Sequence, residues 1–85
     1  MLLWYALFKD KPQDTYCTEE RTPRAAVLQR FEHAMALGMH DGRSVIGMWL
    51  IDGSSQYGEV IKVHGLVPEP IRARHEAYLK EKPNR

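Results

Sequence analysis

The feature that most constrains the fold is an apolar run at the start of the chain. Residues 2–8 have the sequence LLWYALF, and the run ends at Lys9-Asp10-Lys11-Pro12. A run of this length, bounded by charges and a proline, is typical of a strand that is buried on both faces. It is too short, and meets charged residues too soon, for a membrane-spanning helix or a signal peptide. We therefore expect residues 2–8 to form a central strand of a sheet.

Length, charge and cysteine content limit the classes of protein. The chain has 85 residues, of which 44% are hydrophobic and 27% charged, and this suits one small domain. We expect that domain over residues 1–82, with residues 83–85 as a frayed tail. The net charge of +1 gives no reason to expect a nucleic acid or a membrane as partner. The single cysteine, Cys17, cannot form an internal disulfide, which predicts a reducing compartment, the cytoplasm.

Two stretches of the chain predict helices. Thr22 and Pro23 supply an N-cap and a proline at the first helical position, and Gly38 ends this stretch. Between them, apolar residues recur at helical spacing at Leu28, Phe31, Ala34 and Met35. Pro70 opens the second helix, which ends before Pro83. One face of the second helix carries Ile71, His75, Tyr78 and Leu79.

Two further stretches predict strands. Asp41-Gly42 is a turn signal, and the apolar run Val45–Ile51, bounded by residues 52–55, predicts a second buried strand. Tyr57–His64 fits two structures, a half-exposed strand with alternating residues or a helix with one apolar face. Gly58 and the β-branched residues of this segment favour the strand.

The order of these elements predicts the fold class. Strand, helix, strand, strand and helix form a ferredoxin-like βαββα layout, an α+β fold in which a three-stranded antiparallel sheet carries two helices on one face. The other face of the sheet and one edge would then be uncovered. A small chain cannot hide such a surface alone, so we expect a homodimer through the sheet.

Two segments carry a resemblance to a known family. Residues 3–12, LWYALFKDKP, and residues 41–47, DGRSVIG, followed by Leu50-Ile51, resemble the opening strand and the acidic-Gly turn of the YCII-related family. Proteins of that family are small and ferredoxin-like, and they dimerise face to face into an α/β barrel. The resemblance implies the same fold and dimer, a small-molecule pocket and a simple acid–base activity.

The histidine motif of that family lies elsewhere in this chain. The family carries its active-site histidine on the first helix, in an Arg-x-x-His-x-x-Tyr-Leu pattern, whereas residues 21–28 are RTPRAAVL and Arg24 stands in its place. The pattern occurs instead in the second helix, as RARHEAYL at residues 72–79. The Ala-Gly-Pro strand between helix and turn is absent. The resemblance therefore implies the fold of the family but not its active site.

Four residues are candidates for acid–base chemistry. His75 lies on the apolar face of the second helix, where burial tunes a pKa; the alternative is a packed histidine with one satisfied hydrogen bond. His40 and Asp41 place an imidazole beside a carboxylate in a loop, although turn chemistry alone explains Asp41. Asp10 ends the first strand and faces either a pocket or solvent.

The sequence predicts no metal site, cofactor or nucleophile. No two of the four histidines have the spacing of a ligand pair, His33 lies on the polar side of its helix, and Cys17 has no companion. No Gly-x-Ser-x-Gly occurs, and residues 53–58 lack the spacing of a phosphate loop. We therefore expect binding more than catalysis.

Two functions remain open. The first is a non-catalytic protein that binds a protein partner through its sheet surface or edge, for example a phage or mobile-element regulator or inhibitor. Trp4, Tyr5 and Trp49 are then the candidate binding residues, and core or interface positions are the alternative for them. The second is a YCII-like small-molecule-binding protein or simple acid–base enzyme.

Overall fold

The computed structural model describes residues 1–18, 21–53 and 58–81, and these form five strands and two helices. In chain order they are β1 (Leu2–Phe8), β2 (Thr15–Cys17), α1 (Arg24–Leu37), β3 (Met39–His40), β4 (Arg43–Asp52), β5 (Glu59–Gly65) and α2 (Glu69–Glu81). The chain is an α+β protein with an antiparallel sheet, as expected. Within the same residues no helix has the length and hydropathy needed to cross a membrane.

The sheet is built around β1 and β4. β1 lies between β2 and β4 and pairs antiparallel with both. The other edge of β4 pairs with β3 at Arg43 and Ser44, and with β5 from Gly47 to Asp52. The expected central position of residues 2–8 is therefore confirmed.

The two faces of the sheet hold separate hydrophobic clusters. Trp4 and its neighbours on one face pack against Val27 and Phe31 of α1. Trp4 is paired with Leu50 of β4, and side chains alternate along a strand. Trp49, next to Leu50, therefore lies on the opposite face, where Ile71 of α2 packs against its cluster. The two helices therefore contact opposite faces of the sheet.

The expectation of three strands with both helices on one face is wrong in both respects. The additional strands β2 and β3 have three and two residues, which is too short to leave an alternating pattern in the sequence. α2 lies on the second face because Trp49 and Ile51 point away from α1 and need a cover of their own. Val67 and Ile71 supply part of that cover.

The ferredoxin-like order of strands is not confirmed. β1 pairs directly with β4, antiparallel, with Trp4 opposite Leu50. In a split βαβ unit, a further strand lies between the two strands that the helix connects. Among the described strands none lies between β1 and β4.

The turns at Gly38 and Asp41-Gly42 lie where the sequence predicts them, and the start of the first helix differs from the prediction. Gly38 ends α1 in the left-handed region with φ 67°. Asp41 and Gly42 have φ 52° and 73°, as a two-residue type I′ turn between β3 and β4 requires. α1 begins at Arg24 and not at Pro23, because Pro23 keeps an extended ψ of 143° and is itself the N-cap, without a side-chain hydrogen bond.

β5 confirms a strand for the described part of residues 57–64. Its register against β4 shifts between Leu50 and Ile51, which leaves one extra residue, Ile61, in β5. This bulge interrupts the alternation of side chains, and it is the reason that the segment also fits a helical pattern. Tyr57 and the predicted tail, residues 83–85, lie outside the described residues.

Candidate binding cleft

An open cleft of about 650 Å³ separates α1 from the β3–β4 hairpin; we call it the α1–β3 cleft. Its lining residues are Gln29, Arg30, His33, Ala34, Leu37, Met39, His40, Asp41 and Gly42. Arg30, His33 and Leu37 are spaced three and four residues apart on α1, so one side of the helix supplies them all. The cleft volume falls within the range of ordinary ligand sites.

The cleft has an apolar part that is open to solvent. Leu37 is 61% exposed and Met39 is 44% exposed, on either side of the Gly38 turn. Large apolar side chains with this exposure at the mouth of a concavity mark a place where another molecule can bury them. No binding role for either residue is predicted from the sequence. The one sequence feature that could have indicated it is their position on either side of Gly38, which ends α1.

Arg30 supplies an unpaired cation to the same cleft. In the described part of the chain, the arginines at positions 24, 43, 72 and 74 each donate to a carboxylate or a backbone carbonyl. Within the same residues the guanidinium of Arg30 has no hydrogen bond or ion pair, although the residue lines the cleft. Among the described residues that line the cleft, Arg30 is the one arginine or lysine, so it is the cation that a ligand bound there can reach.

His40 forms the inner wall of the cleft. Its ring lies 4.9 Å from the ring of Trp4, edge to face, and 4.7 Å from that of Tyr16. Phe8 stacks on it at 6.4 Å. These contacts hold the imidazole against the core, so that β3 is anchored and His40 is a fixed part of the lining. Asp41, the next residue, lines the same cleft.

Asp10 lies at a different place. Its carboxylate accepts hydrogen bonds from the Arg43 guanidinium, with the closest contact at 2.9 Å, and that guanidinium also lies 4.0 Å above the Phe8 ring. The hydrogen bond from Arg43 lowers the pKa of Asp10 from its ordinary value. Asp10 lines a second opening, of about 470 Å³, with Lys9, Gly42, Arg43 and Ser44. Among the described residues, only Gly42 borders both openings.

His75 lines neither opening and bonds to the sheet. Its Nδ1 lies 2.8 Å from the carbonyl oxygen of Val60. Since a carbonyl oxygen can only accept a hydrogen bond, the Nδ1–H is the donor. The ring also lies nearly parallel to that of Tyr78, at 6.4 Å. Neither His75 nor Asp10 lines the α1–β3 cleft, so of the four acid–base candidates the structure brings together only His40 and Asp41.

The three aromatic candidates for partner binding are largely covered. Trp4 is 0% exposed and Trp49 is 4% exposed. Tyr5 is half-buried and stacks on Trp49 with the ring planes 3° apart. The two tryptophans therefore build the core of opposite faces and offer no open ring to a partner. The indole nitrogen of Trp4 is buried without an acceptor among the described residues.

The described residues contain no group of three or more histidine, cysteine or acidic side chains that could hold a metal ion. Comparison with models of protein families, with curated proteins and with solved structures found no match. The relation to the YCII-related family therefore stays a prediction. Geometry and chemistry alone carry the argument for function.

Proposed function

We propose that the chain is a non-catalytic binding protein that holds a short segment of a protein partner in the α1–β3 cleft. The observation that carries this proposal is the exposure of Leu37 and Met39 beside a cleft that also contains the unpaired Arg30. An apolar centre with a polar rim is the usual composition of a site that binds part of a protein.

The sheet is a weaker docking surface than the cleft. Each face contacts a helix, so neither is the open apolar surface expected from the sequence. The outer edge of β5 is partly covered by α2, because Arg74 donates to the carbonyl of Gly58 and His75 to that of Val60. Side chains that cover an edge strand hinder the addition of a partner strand. For these reasons the proposal places the partner in the cleft.

The positions of the acid–base candidates favour binding over catalysis. The Nδ1–H of His75 is engaged by a backbone carbonyl, and Asp10 is engaged by Arg43. Neither is within the cleft that contains His40 and Asp41. A general acid and a general base have to reach one substrate, and this arrangement gives His75 and Asp10 no common site.

A small molecule is the second candidate occupant. The cleft volume of about 650 Å³ is large enough for a ligand of drug size, and His40 and Asp41 would be its polar contacts. The wide mouth of the cleft and the apolar side chains exposed there favour a peptide segment instead. A protein segment can cover Leu37 and Met39 together, while a small ligand in the cleft would leave part of that surface in water.

Two experiments test the proposal. Peptides that bind the chain are selected from a random library displayed on phage, and their binding site is then located by NMR titration of the ¹⁵N-labelled chain. We expect the selected peptides to shift the amides of the α1–β3 cleft. Leu37→Glu should weaken their binding about tenfold or more, the effect of about 1.4 kcal/mol. Leu79→Glu is the matched control, since Leu79 is also exposed but lies on α2. Shifts confined to β2 or β5 would show that the partner binds a sheet edge and would contradict the proposal.

A further inference from the structure

We infer that the α1–β3 cleft recognises a segment in which one apolar side chain is accompanied by one carboxylate, with the carboxylate bound by Arg30. This inference rests on the proposed function and adds the chemistry of the partner. The exposed pair Leu37 and Met39 takes the apolar side chain, and the cationic end of the cleft takes the acid.

Arg30 is the group that specifies the acid. Arg21 and Arg30 are the arginines of the described residues that have no protein acceptor, and of these two only Arg30 lines the cleft. Guanidinium binds a carboxylate through two parallel hydrogen bonds, which fixes the orientation of the bound group as well as its charge. His33, one turn further along α1 and in the same lining, can donate a further hydrogen bond from its ring.

The helix sets the spacing between the two contacts. Arg30 and Leu37 are seven residues apart on α1, which corresponds to about 10 Å along the helix axis. An extended peptide rises about 3.3 Å per residue, so about three residues separate the apolar side chain from the acid. The flexible arginine side chain tolerates one residue more or less.

The opposite wall limits the number of acids. Asp41 is the one carboxylate among the described residues that line the cleft, and it lies in the turn between β3 and β4. A second acid close to this turn would meet a like charge at short range, which is unfavourable. The cleft therefore favours a segment with a single carboxylate near Arg30 over a strongly acidic one.

Three matched peptides test the inference. Each is an acetylated and amidated octapeptide of glycine and serine with one leucine, followed three positions later by Glu, Gln or Lys. Affinity is measured by NMR titration of the ¹⁵N-labelled chain. We expect the Glu peptide to bind about fivefold more tightly than the Gln peptide, and the Lys peptide to bind most weakly.

Charge reversal gives the decisive comparison. Arg30→Glu should invert the order, so that the Lys peptide binds most tightly. Arg21→Glu changes the net charge by the same amount at an exposed position that does not line the cleft, and it should preserve the original order. Circular dichroism of both variants checks that they are folded.

The outcomes separate the two proposals. If the three peptides shift the cleft amides with equal affinities, or if Arg30→Glu leaves their order unchanged, the charge preference is wrong and the proposed function stands. If Arg21→Glu changes the order as much as Arg30→Glu does, the preference comes from net charge and the assignment to Arg30 is wrong. If no peptide, including those selected from the library, shifts the cleft amides, the proposed function itself is wrong.

Discussion

His75 of α2 donates its Nδ1–H to the carbonyl oxygen of Val60 in β5, at 2.8 Å. Arg74 donates to the carbonyl of Gly58 in the same way. The Leu66 N–H donates to the carbonyl oxygen of Ile46 in β4, so every second residue before Leu66 directs its backbone groups toward β4. The extra residue at Ile61 reverses this alternation. The backbone groups of Gly58 and Val60 therefore point away from β4. α2 therefore satisfies carbonyl groups at an edge that would otherwise face water or another chain.

Replacing His75 by glutamine tests whether this contact is structural. We expect His75→Gln to lower the free energy of unfolding by about 1 to 2 kcal/mol, because the flexible amide replaces a packed ring and its hydrogen bond. Peptide binding in the α1–β3 cleft should be unchanged in the folded protein. Thermal melting and NMR titration of the same variant measure the two effects.

The exposed His64 on β5 provides the control. His64→Gln should change the melting temperature much less than His75→Gln does. An unchanged melting temperature of His75→Gln together with lost binding would show that His75 belongs to a ligand site, and it would favour the small-molecule function.

The ion pair between Asp10 and Arg43 predicts a pH dependence. The hydrogen bond from Arg43 lowers the pKa of Asp10, so the contribution of Asp10 to stability is present at neutral pH and is lost as the pH falls below about 4. Asp10→Asn should therefore lower the melting temperature at pH 7 and have little effect at pH 2.5. Asp14→Asn, at another exposed carboxylate of the same loop, should show a smaller dependence. Equal effects of Asp10→Asn at both pH values would contradict this account.

Two glycines are required for different reasons. A Cβ at Gly47 would collide with the carbonyl oxygen of Leu66 and lie 2.6 Å from the carbonyl carbon, so Gly47→Ala should cost about 3 kcal/mol or more. Gly42 has no neighbour within 4 Å of such an atom but has φ 73°, so Gly42→Ala should cost about 1 kcal/mol. Urea denaturation gives both values. If the Gly47→Ala variant is as stable as the Gly42→Ala variant, the backbone of β4 does not lie as close to Leu66 as the structure has it.

The oligomeric state tests the homodimer that the sequence predicts. A helix contacts each face of the sheet, and α2 side chains bond to carbonyl groups at the β5 edge. We therefore expect light scattering to give the monomer mass of 9.9 kDa up to about 100 μM, a concentration at which sheet-mediated dimers of ordinary affinity form. Twice that mass would support pairing between copies, for which β2 offers an outer edge that no other described strand pairs with.

The elements with continuous patterns were predictable. The run in residues 2–8 forms β1 with the predicted bounds, and Gly38 ends α1. β2 and β3 were missed, because two or three residues are too few to show a period. These short strands are held by pairing with β1 and β4, which is a tertiary interaction.

The candidate cleft could be predicted only in part. The sequence selected His40 and Asp41 because they stand together before a glycine turn, and both line the cleft. The sequence did not identify Arg30 and Leu37 as cleft residues. Arginine and leucine are common on helix surfaces, and the sequence does not show which element lies beside them. Their role depends on β3 lying beside the C-terminal half of α1.

The sequence by itself determined the α+β class, the central apolar strand, both helices and the turn at Asp41-Gly42, since each depends on residues that are close together in the chain. The tertiary structure decided which face each helix covers, which strands pair with β4, and which side chains share a cleft. Those choices depend on contacts between distant residues. The alternation along β4 sends Trp49 to one face and Met48 to the other, and only packing determines which helix covers each of them.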